Sequence, residues 1–263
     1  MFEFHGDKKR YFDYQYKTSK EYILPYVKSH LGKQLPLRVL EIGCGEAGVL
    51  KAFTDEGHEC VGIELGKSRV ELAEKFLEKE ISEGKISFIT KNIYDIDLER
   101  EIGEKFDLII LKDVIEHIHE QERLIPQLRS FLRDGGKIFF AFPPWYMPFG
   151  GHQQVCKSKF LSKLPYFHLL PAPLYRLVLR LFGETPRNIE SLMEIKETGI
   201  SIERFESIAK RNYQIIRKTF FLINPIYKYK FKLQPREQWG WVASLPFLRN
   251  FFTTAVYYLI EAK

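Results

Sequence analysis

A chain of 263 residues with 45% apolar content can bury a full core, and one α/β domain over residues 1–263 is the expected organisation. Its formal charge of +6 is uneven: from Gly151 onward 18 Lys and Arg stand against 8 Glu, whereas the first 150 residues are net acidic. The start MFEFHGDKKR lacks the apolar centre of a leader, no apolar run approaches bilayer length, and Cys44, Cys60 and Cys156 show neither CxxC spacing nor an even framework, so a soluble, cytoplasmic protein in a reducing compartment is expected.

In chain order, residues 11–31 read as an aromatic-rich helix interrupted at Pro25. Val39, Leu40 and Ile42 form a short strand that runs into Gly43-x-Gly45-x-x-Gly48, and a helix over 47–56 follows, stopped by Gly57. A second strand covers 59–65. Val70, Ala73, Phe76, Leu77 and Ile81 recur at helical spacing, with Gly84 as the stop. Strands over 86–90 and 106–111 come next, the latter (FDLIIL) apolar enough to be buried on both faces. The segment KDVIEHIHE predicts a helix starting near Val114; a second helix covers 124–132, a turn follows at Asp134-Gly135-Gly136, and a fifth strand occupies 137–142. Five strands alternating with helices predict a doubly wound parallel sheet, with ligand outside the carboxyl ends of the strands.

Beyond Phe142 the alternation stops. Prolines at 143, 144, 148, 165, 171 and 173 break regular structure, and Leu174, Leu177, Val178 and Leu181 mark one amphipathic helix ending at Gly183. Residues 144–200 read as an insertion, a helical lid rather than a separate domain. A helix capped by Ser201 and strands over 213–223 and 251–260 follow. Between those strands NPIYKYKFKL alternates aromatics with Lys228, Lys230 and Lys232, which predicts a strand with one basic face.

The stretch VLEIGCGEAGVL carries the strongest chemical signal. Its glycines let backbone pass close to a ligand, and the following helix offers unpaired N–H groups to an anionic part of it. Glu64, 21 residues after Gly43, stands where it would hold ribose hydroxyls. These features fit a dinucleotide or S-adenosylmethionine. Glu41 tilts the choice, because a carboxylate two residues before the first glycine opposes a pyrophosphate but suits a cationic sulfonium and amino group.

On these residues the chain resembles the class I S-adenosylmethionine-dependent methyltransferases, whose first motif is an apolar run, Glu or Asp, then x-Gly-x-Gly. The resemblance implies a Rossmann-like, doubly wound seven-stranded sheet closed by an antiparallel terminal hairpin, with the leading helix over the cofactor edge. It implies S-adenosylmethionine as cofactor. Glu41, Gly43 and Gly45 would hold its methionine end, Glu64 the ribose, Asn92 the adenine, and Lys112 or Asp113 the floor beneath the sulfonium, with Cys44, Leu65 and Ile93 also in the cofactor site. Asn92 replaces the usual Asp, with Asp95 as fallback.

For catalysis the candidates are Asp113, His117 and His152. A helix from Val114 would put positions 113, 116 and 117 on one face. His117 then serves as a general base, or Asp113, Glu116, His117 and His152 bind a divalent metal, as the resemblance to ubiquinone-pathway and small-RNA 2′-O-methyltransferases suggests; or Glu116 and His117 only cap the helix. A metal is the less expected alternative. The expected function is methylation, at oxygen, of a small or lipid-like acceptor covered by Trp145, Tyr146, Met147 and Phe149. Arg176 and Arg180 could meet an anionic headgroup or a peripheral membrane surface. A non-catalytic cofactor-binding module and an RNA methyltransferase are the alternatives. Nucleic acid is not the expected partner, because strict alternation after Asn224 hides the aromatics from the lysines.

Overall fold

The computed structural model describes residues 7–31 and 36–263; most of the amino-terminal stretch read for a leader lies outside the described residues. The first helix, α1 (Lys8–Thr18), is capped by Asp7 and continues through a π-turn (Ser19–Ile23) into α2 (Leu24–Lys28). Pro25 falls in the first turn of α2, where no backbone N–H is needed, so the chain bends there without stopping. Then β1 (Arg38–Ile42), α3 (Gly48–Asp55), β2 (Glu59–Ile63), α4 (Lys67–Phe76), α5 (Glu78–Ser82), β3 (Ile86–Ile89), β4 (Phe106–Lys112), α6 (Gln121–Gln127) and β5 (Leu132–Phe142) complete the alternating half. The long helix expected through Ile81 breaks at Leu77 into α4 and α5.

The insertion contributes α7 (Ala172–Leu181) and α8 (Pro186–Thr198), after which α9 (Ile202–Asn212) leads into β6 (Tyr213–Ile223). A second insertion separates β6 from β8 (Ala255–Ala262) and holds α10 (Tyr227–Phe231), β7 (Arg236–Glu237), α11 (Gly240–Ala243) and α12 (Leu248–Phe251).

The sheet order is β3-β2-β1-β4-β5-β8-β6-β7, with β1 to β5 parallel and β8 running antiparallel between β5 and β6. The doubly wound prediction and its terminal hairpin hold, but the sheet has eight strands rather than seven. The extra strand is two-residue β7, which pairs with the outer edge of β6. It covers only Phe221 and Ile223 of that edge. The turn expected at Asp134-Gly135-Gly136 is a register break inside β5: Phe106 pairs with Leu132, Leu108 with Lys137.

Two apolar layers enclose the sheet. One contains Leu40, Ile42, Ile109, Leu111, Phe140 and Phe205, the other Phe12, Val39, Leu50, Phe53, Leu108 and Ile110. Because strand side chains alternate, Glu41 and Lys112 follow Val39 and Ile110 to the α1–α3 face, at the carboxyl ends of adjacent strands. The 144–200 segment has a third core of its own, with Cys156, Leu161, Tyr175, Leu179 and Leu192 buried.

Candidate active site

The glycine loop is pinned before it meets any ligand. Gly43 and Cys44 both donate backbone N–H groups to Ile63 O, at 2.7 and 3.1 Å, which ties the end of β1 to the end of β2. Gly43 takes φ +69°, and a Cβ there would lie 2.5 Å from Val114 Cγ2, so both conformation and space require glycine. A Cβ on Gly48 would meet Phe12 O at 2.5 Å; α1 therefore crosses directly over the start of α3.

These contacts roof a cavity of about 760 Å³. Its floor is the strand end, with Glu41, Gly43, Cys44, Gly45, Lys112 and Asp113. Tyr11 and Gln15 of α1 form one wall, Met147, Phe149 and His152 of the first insertion another, and Tyr227, Lys230 and Phe231 of α10 a third.

Glu41 is buried, and its Oε2 has no hydrogen-bond partner among the described residues. Burial raises its pKa well above the ordinary carboxylate value, against the pull of Lys112. Such a group gains most from a cation that restores its charge. Lys112 does not fill that role, because its ammonium is bound to the Asp113 carboxylate. Burial opposes that carboxylate's charge, but Lys112 outweighs it and holds Asp113 below the usual range. Asp113 sits in the left-handed region at φ +55°, its N–H donating to Ala141 O at 2.7 Å.

That kink ends the helix expected from Val114. Only a 3-10 turn, Ile115–His117, forms, and the shared face for positions 113, 116 and 117 does not exist. What gathers instead is Glu116, His117 and His152, whose ligand atoms all lie within 4.8 Å of one another; Asp113 is not part of the group. The two imidazoles meet edge to face at 4.9 Å. Both Glu116 oxygens are buried without a hydrogen-bond partner among the described residues, and burial, reinforced by Asp113, raises this carboxyl well above its ordinary value. Burial lowers both imidazoles, His152 to about 3, so both are neutral at pH 7.

The cofactor residues expected farther along the strand ends lie outside the cavity lining. Glu64 accepts from Gly45 N at 2.9 Å and Gly66 N at 2.8 Å, with Arg69 3.7 Å away. Leu65 is 66% exposed. Asn92 caps a 3-10 turn by accepting from Tyr94 N at 3.1 Å, and Ile93 is buried in the core.

Sequence reasoning missed the α10 wall. Within the alternating NPIYKYKFKL, Tyr227–Phe231 form a helix, not a strand, and Lys230 lines the cavity. The Asn-Pro start was the available signal, since Asn224 Oδ1 accepts from Ile226 N at 3.2 Å. Lys230 lies 5.2 Å from the Tyr11 ring centre, and burial lowers its pKa to about 8 despite Asp113. Tyr11 and Phe12, from the helix read as aromatic-rich, also reach the cavity.

Comparison with known proteins bears on the fold and the family. The chain is similar to the ubiquinone biosynthesis O-methyltransferase of Coxiella burnetii, 25% identical over 122 residues that make up 45% of this chain and 50% of that protein. That of Acinetobacter baylyi is 23% identical over 118 residues, 45% of this chain and 48% of the relative. The chain thus spans about half the length of the curated relatives it matches. Among solved structures, an S-adenosylmethionine-dependent methyltransferase from Clostridium acetobutylicum superposes with a TM-score of 0.56 at 13% identity, covering 94% of this chain and 91% of that one. A plantazolicin methyltransferase in complex with SAH gives 0.54 at 12% identity, over 97% and 84%. The methyltransferase domain family matches residues 9–155, more than half the chain and the same stretch that builds the glycine loop, Glu41 and the Glu116–His117 turn, and the protein belongs to that family.

Proposed function

We propose that this methyltransferase moves the methyl group of S-adenosylmethionine to an oxygen of a small, substantially apolar acceptor. The observation that carries the reading is Glu41, a buried carboxylate with an orphaned oxygen at the end of β1, opening on the same cavity as His117 and His152. A cationic ligand fits that donor set. Bound there, S-adenosylmethionine supplies a methyl group already activated by its sulfonium. Glu41 would hold the methionine amino group, with the Gly43–Gly45 backbone and Cys44 lining the same cavity. Lys112 holds Asp113 at the floor. Glu64, whose carboxylate keeps lone pairs beyond those given to Gly45 and Gly66, would take the ribose hydroxyls, with exposed Leu65 beside it, and Asn92 would meet the adenine.

The protein's main task is alignment: in-line positioning of two reactants can supply roughly 7 to 11 kcal/mol of barrier reduction. His117, neutral at pH 7 because burial depresses its pKa, would accept the proton of the acceptor hydroxyl. His152 holds the ring edge to face. The 144–200 segment acts as a lid, with Met147 and Phe149 against the acceptor. Oxygen as the reacting atom draws on the matched half of the ubiquinone-pathway relatives.

Titration calorimetry with S-adenosylhomocysteine tests the cofactor site. Glu64→Ala should bind at least about tenfold more weakly, since hydrogen bonds to charged groups contribute about 1.5–3 kcal/mol. Equal affinity removes Glu64 from the site. His117→Ala should keep that affinity while turnover on a catechol acceptor falls by about 10²–10⁴, the range for a general base; full turnover removes the base.

A second reading is favoured by the Glu116, His117 and His152 cluster, which could hold a divalent cation that orients the acceptor oxygens. Loss of turnover in chelator, restored by Mg²⁺ or Mn²⁺, would establish it; activity indifferent to chelator leaves the base.

A further inference from the structure

The second insertion, between β6 and β8, is built inside out. Over residues 238–253 the buried side chains are largely polar: Gln238, Arg249, Asn250 and Thr253, with Val242 the apolar exception. The exposed ones are Trp239, Trp241, Leu245, Phe247, Leu248 and Phe252, with Trp241 at 67% and Phe247 at 69%. An aqueous surface loop has the opposite arrangement, and six large apolar side chains within fourteen residues exceed the scattered exposure ordinary for a monomer.

The buried polar groups hold this shape. Glu203 of α9 accepts from Phe247 N at 2.9 Å, Arg249 Nε at 3.0 Å and Asn250 Nδ2 at 2.6 Å. Gln238 Nε2 donates to Phe252 O at 2.6 Å, closing the two ends of the segment on each other. Phe247 is kept at φ +64°, a conformation a bulky side chain adopts only when its surroundings impose it. The scaffold presents the aromatic ring outward instead of letting it fold in.

We propose that this face is a docking surface for a lipid bilayer carrying anionic headgroups. Charge and side-chain chemistry both point to that occupant. Exposed Lys232 and Arg236 flank the face, Arg236 stacking 4.9 Å over Trp239, and Glu237 is the one acid beside them. From Gln238 to Ile260 the chain contains no Asp or Glu. Tryptophans with flanking cations suit the headgroup zone, where an amphipathic ring is half apolar and half wet. Among the described residues no helix is long and apolar enough to cross a membrane, so the contact is peripheral.

The surface also leads to the cavity. Phe231 and Leu233, immediately before it, are exposed and line the cavity. On the far side Phe251 packs against Tyr146 at 5.6 Å and accepts a hydrogen bond from Tyr166 Oη at 2.9 Å, both from the first insertion. The face therefore adjoins the cavity lining at Phe231 and Leu233 and touches the first insertion on its other side. Resting on the reading of that cavity as a site for an apolar acceptor, the proposal places the acceptor's entry at the bilayer surface rather than through bulk water.

Vesicle flotation with the whole chain tests it. Binding is expected to vesicles of phosphatidylcholine with phosphatidylglycerol, weaker binding to phosphatidylcholine alone, and quenching of tryptophan fluorescence by brominated lipid. Trp241→Ser with Phe247→Ser should weaken partitioning at least about tenfold, because interfacial binding scales with buried apolar area. Both side chains point outward, so S-adenosylhomocysteine affinity and the unfolding midpoint should match the parent's. Lys232→Gln with Arg236→Gln should reduce only the preference for phosphatidylglycerol. No flotation with either lipid, or a dimer dissolved by the double serine variant without any vesicle binding, overturns the proposal. Failure to bind S-adenosylhomocysteine instead defeats the methyltransferase reading and leaves the flotation result standing.

Discussion

The parallel sheet and the 144–200 segment are both well packed, yet they are held by different kinds of interaction. Within the sheet, consecutive strands pair through continuous backbone ladders and two apolar layers, and a side chain such as Phe140 is buried against Phe205 at 4.9 Å. The segment over the cavity has one small core and is fastened by a few polar contacts. Thr198 Oγ1 donates to Glu116 O at 2.6 Å, Gln121 Nε2 donates to Thr198 O at 2.6 Å, and Tyr166 Oη donates to Phe251 O at 2.9 Å. A layer with many equivalent contacts loses stability as a whole, whereas one held at a few points can release locally. The proposed catalytic pair is divided between them, His117 following β4 and His152 lying in the 144–200 segment.

The largest expected effect breaks the sheet side of this contrast. Phe140→Ala should lower global stability by about 3–5 kcal/mol, read from denaturant midpoints, with hydrogen exchange accelerating throughout the sheet. Exchange confined to the cover would mean the two regions are not separate units.

Acid should separate them by window. Burial lowers the His168 imidazole to about 4, so an unfolded or opened segment takes up its proton first, near pH 6.5. Its contribution is present above pH 6.5 and falls by about 3 kcal/mol as the pH drops to 4. Glu206 belongs to the sheet side. Burial opposes its charge, but hydrogen bonds from Lys210, Lys218 and Tyr258 outweigh it and hold the carboxyl at about 2. Its stabilisation persists above pH 4.5 and is lost, by roughly 3 kcal/mol, only between about 4 and 2. Exchange at pH 5 should therefore rise more across 144–200, where burial depresses both His152 and His168, than in β1 to β5, beside which His58 and His117 are depressed. Simultaneous loss would contradict the comparison, and slow exchange unchanged by ligand at pH 7 would show a fixed minidomain instead of a lid.

The smallest effect sharpens the same contrast. A Cβ at Gly199 would come 2.4 Å from the Trp145 ring, so Gly199→Ala forces the ring away, at a cost of about 1–3 kcal/mol. Loss of turnover should exceed any loss of S-adenosylhomocysteine affinity, because Glu41 and the glycine loop are on the sheet side. Calorimetry and kinetics on one preparation decide the point.

Legibility followed the same division. Strands buried on both faces, such as 106–111, announce themselves as apolar runs, and β6 occupies 213–223 as its pattern predicts. Glu41, Gly43, Gly45, Lys112, Asp113, His117 and His152 all reach one cavity. What the pattern could not reveal were positions decided by tertiary contact. Asp113 turns left-handed where its N–H meets Ala141 O, cancelling a helix that spacing alone favours. Residues 227–231 alternate like a strand but are too few to define a period, and an Asn-Pro start with cavity packing makes them helical. The expected strand over 251–260 begins only at Ala255, because Leu248–Phe251 form α12 on the Glu203 scaffold.

The place of β8 in the sheet has a consequence for how the chain assembles. It lies between β5 and β6, pairing Lys137 with Glu261 and Tyr213 with Ala262. During synthesis the edge of β5 is complete long before its neighbour exists, and both insertions emerge while that edge stands open. Closing it requires a contact across more than 100 residues, which is a slow step dominated by loop entropy. Until then the nascent molecule exposes an apolar, unpaired strand, a template for association with other chains. Chaperone demand during synthesis, rather than stability once folded, is therefore where this topology places its greatest burden.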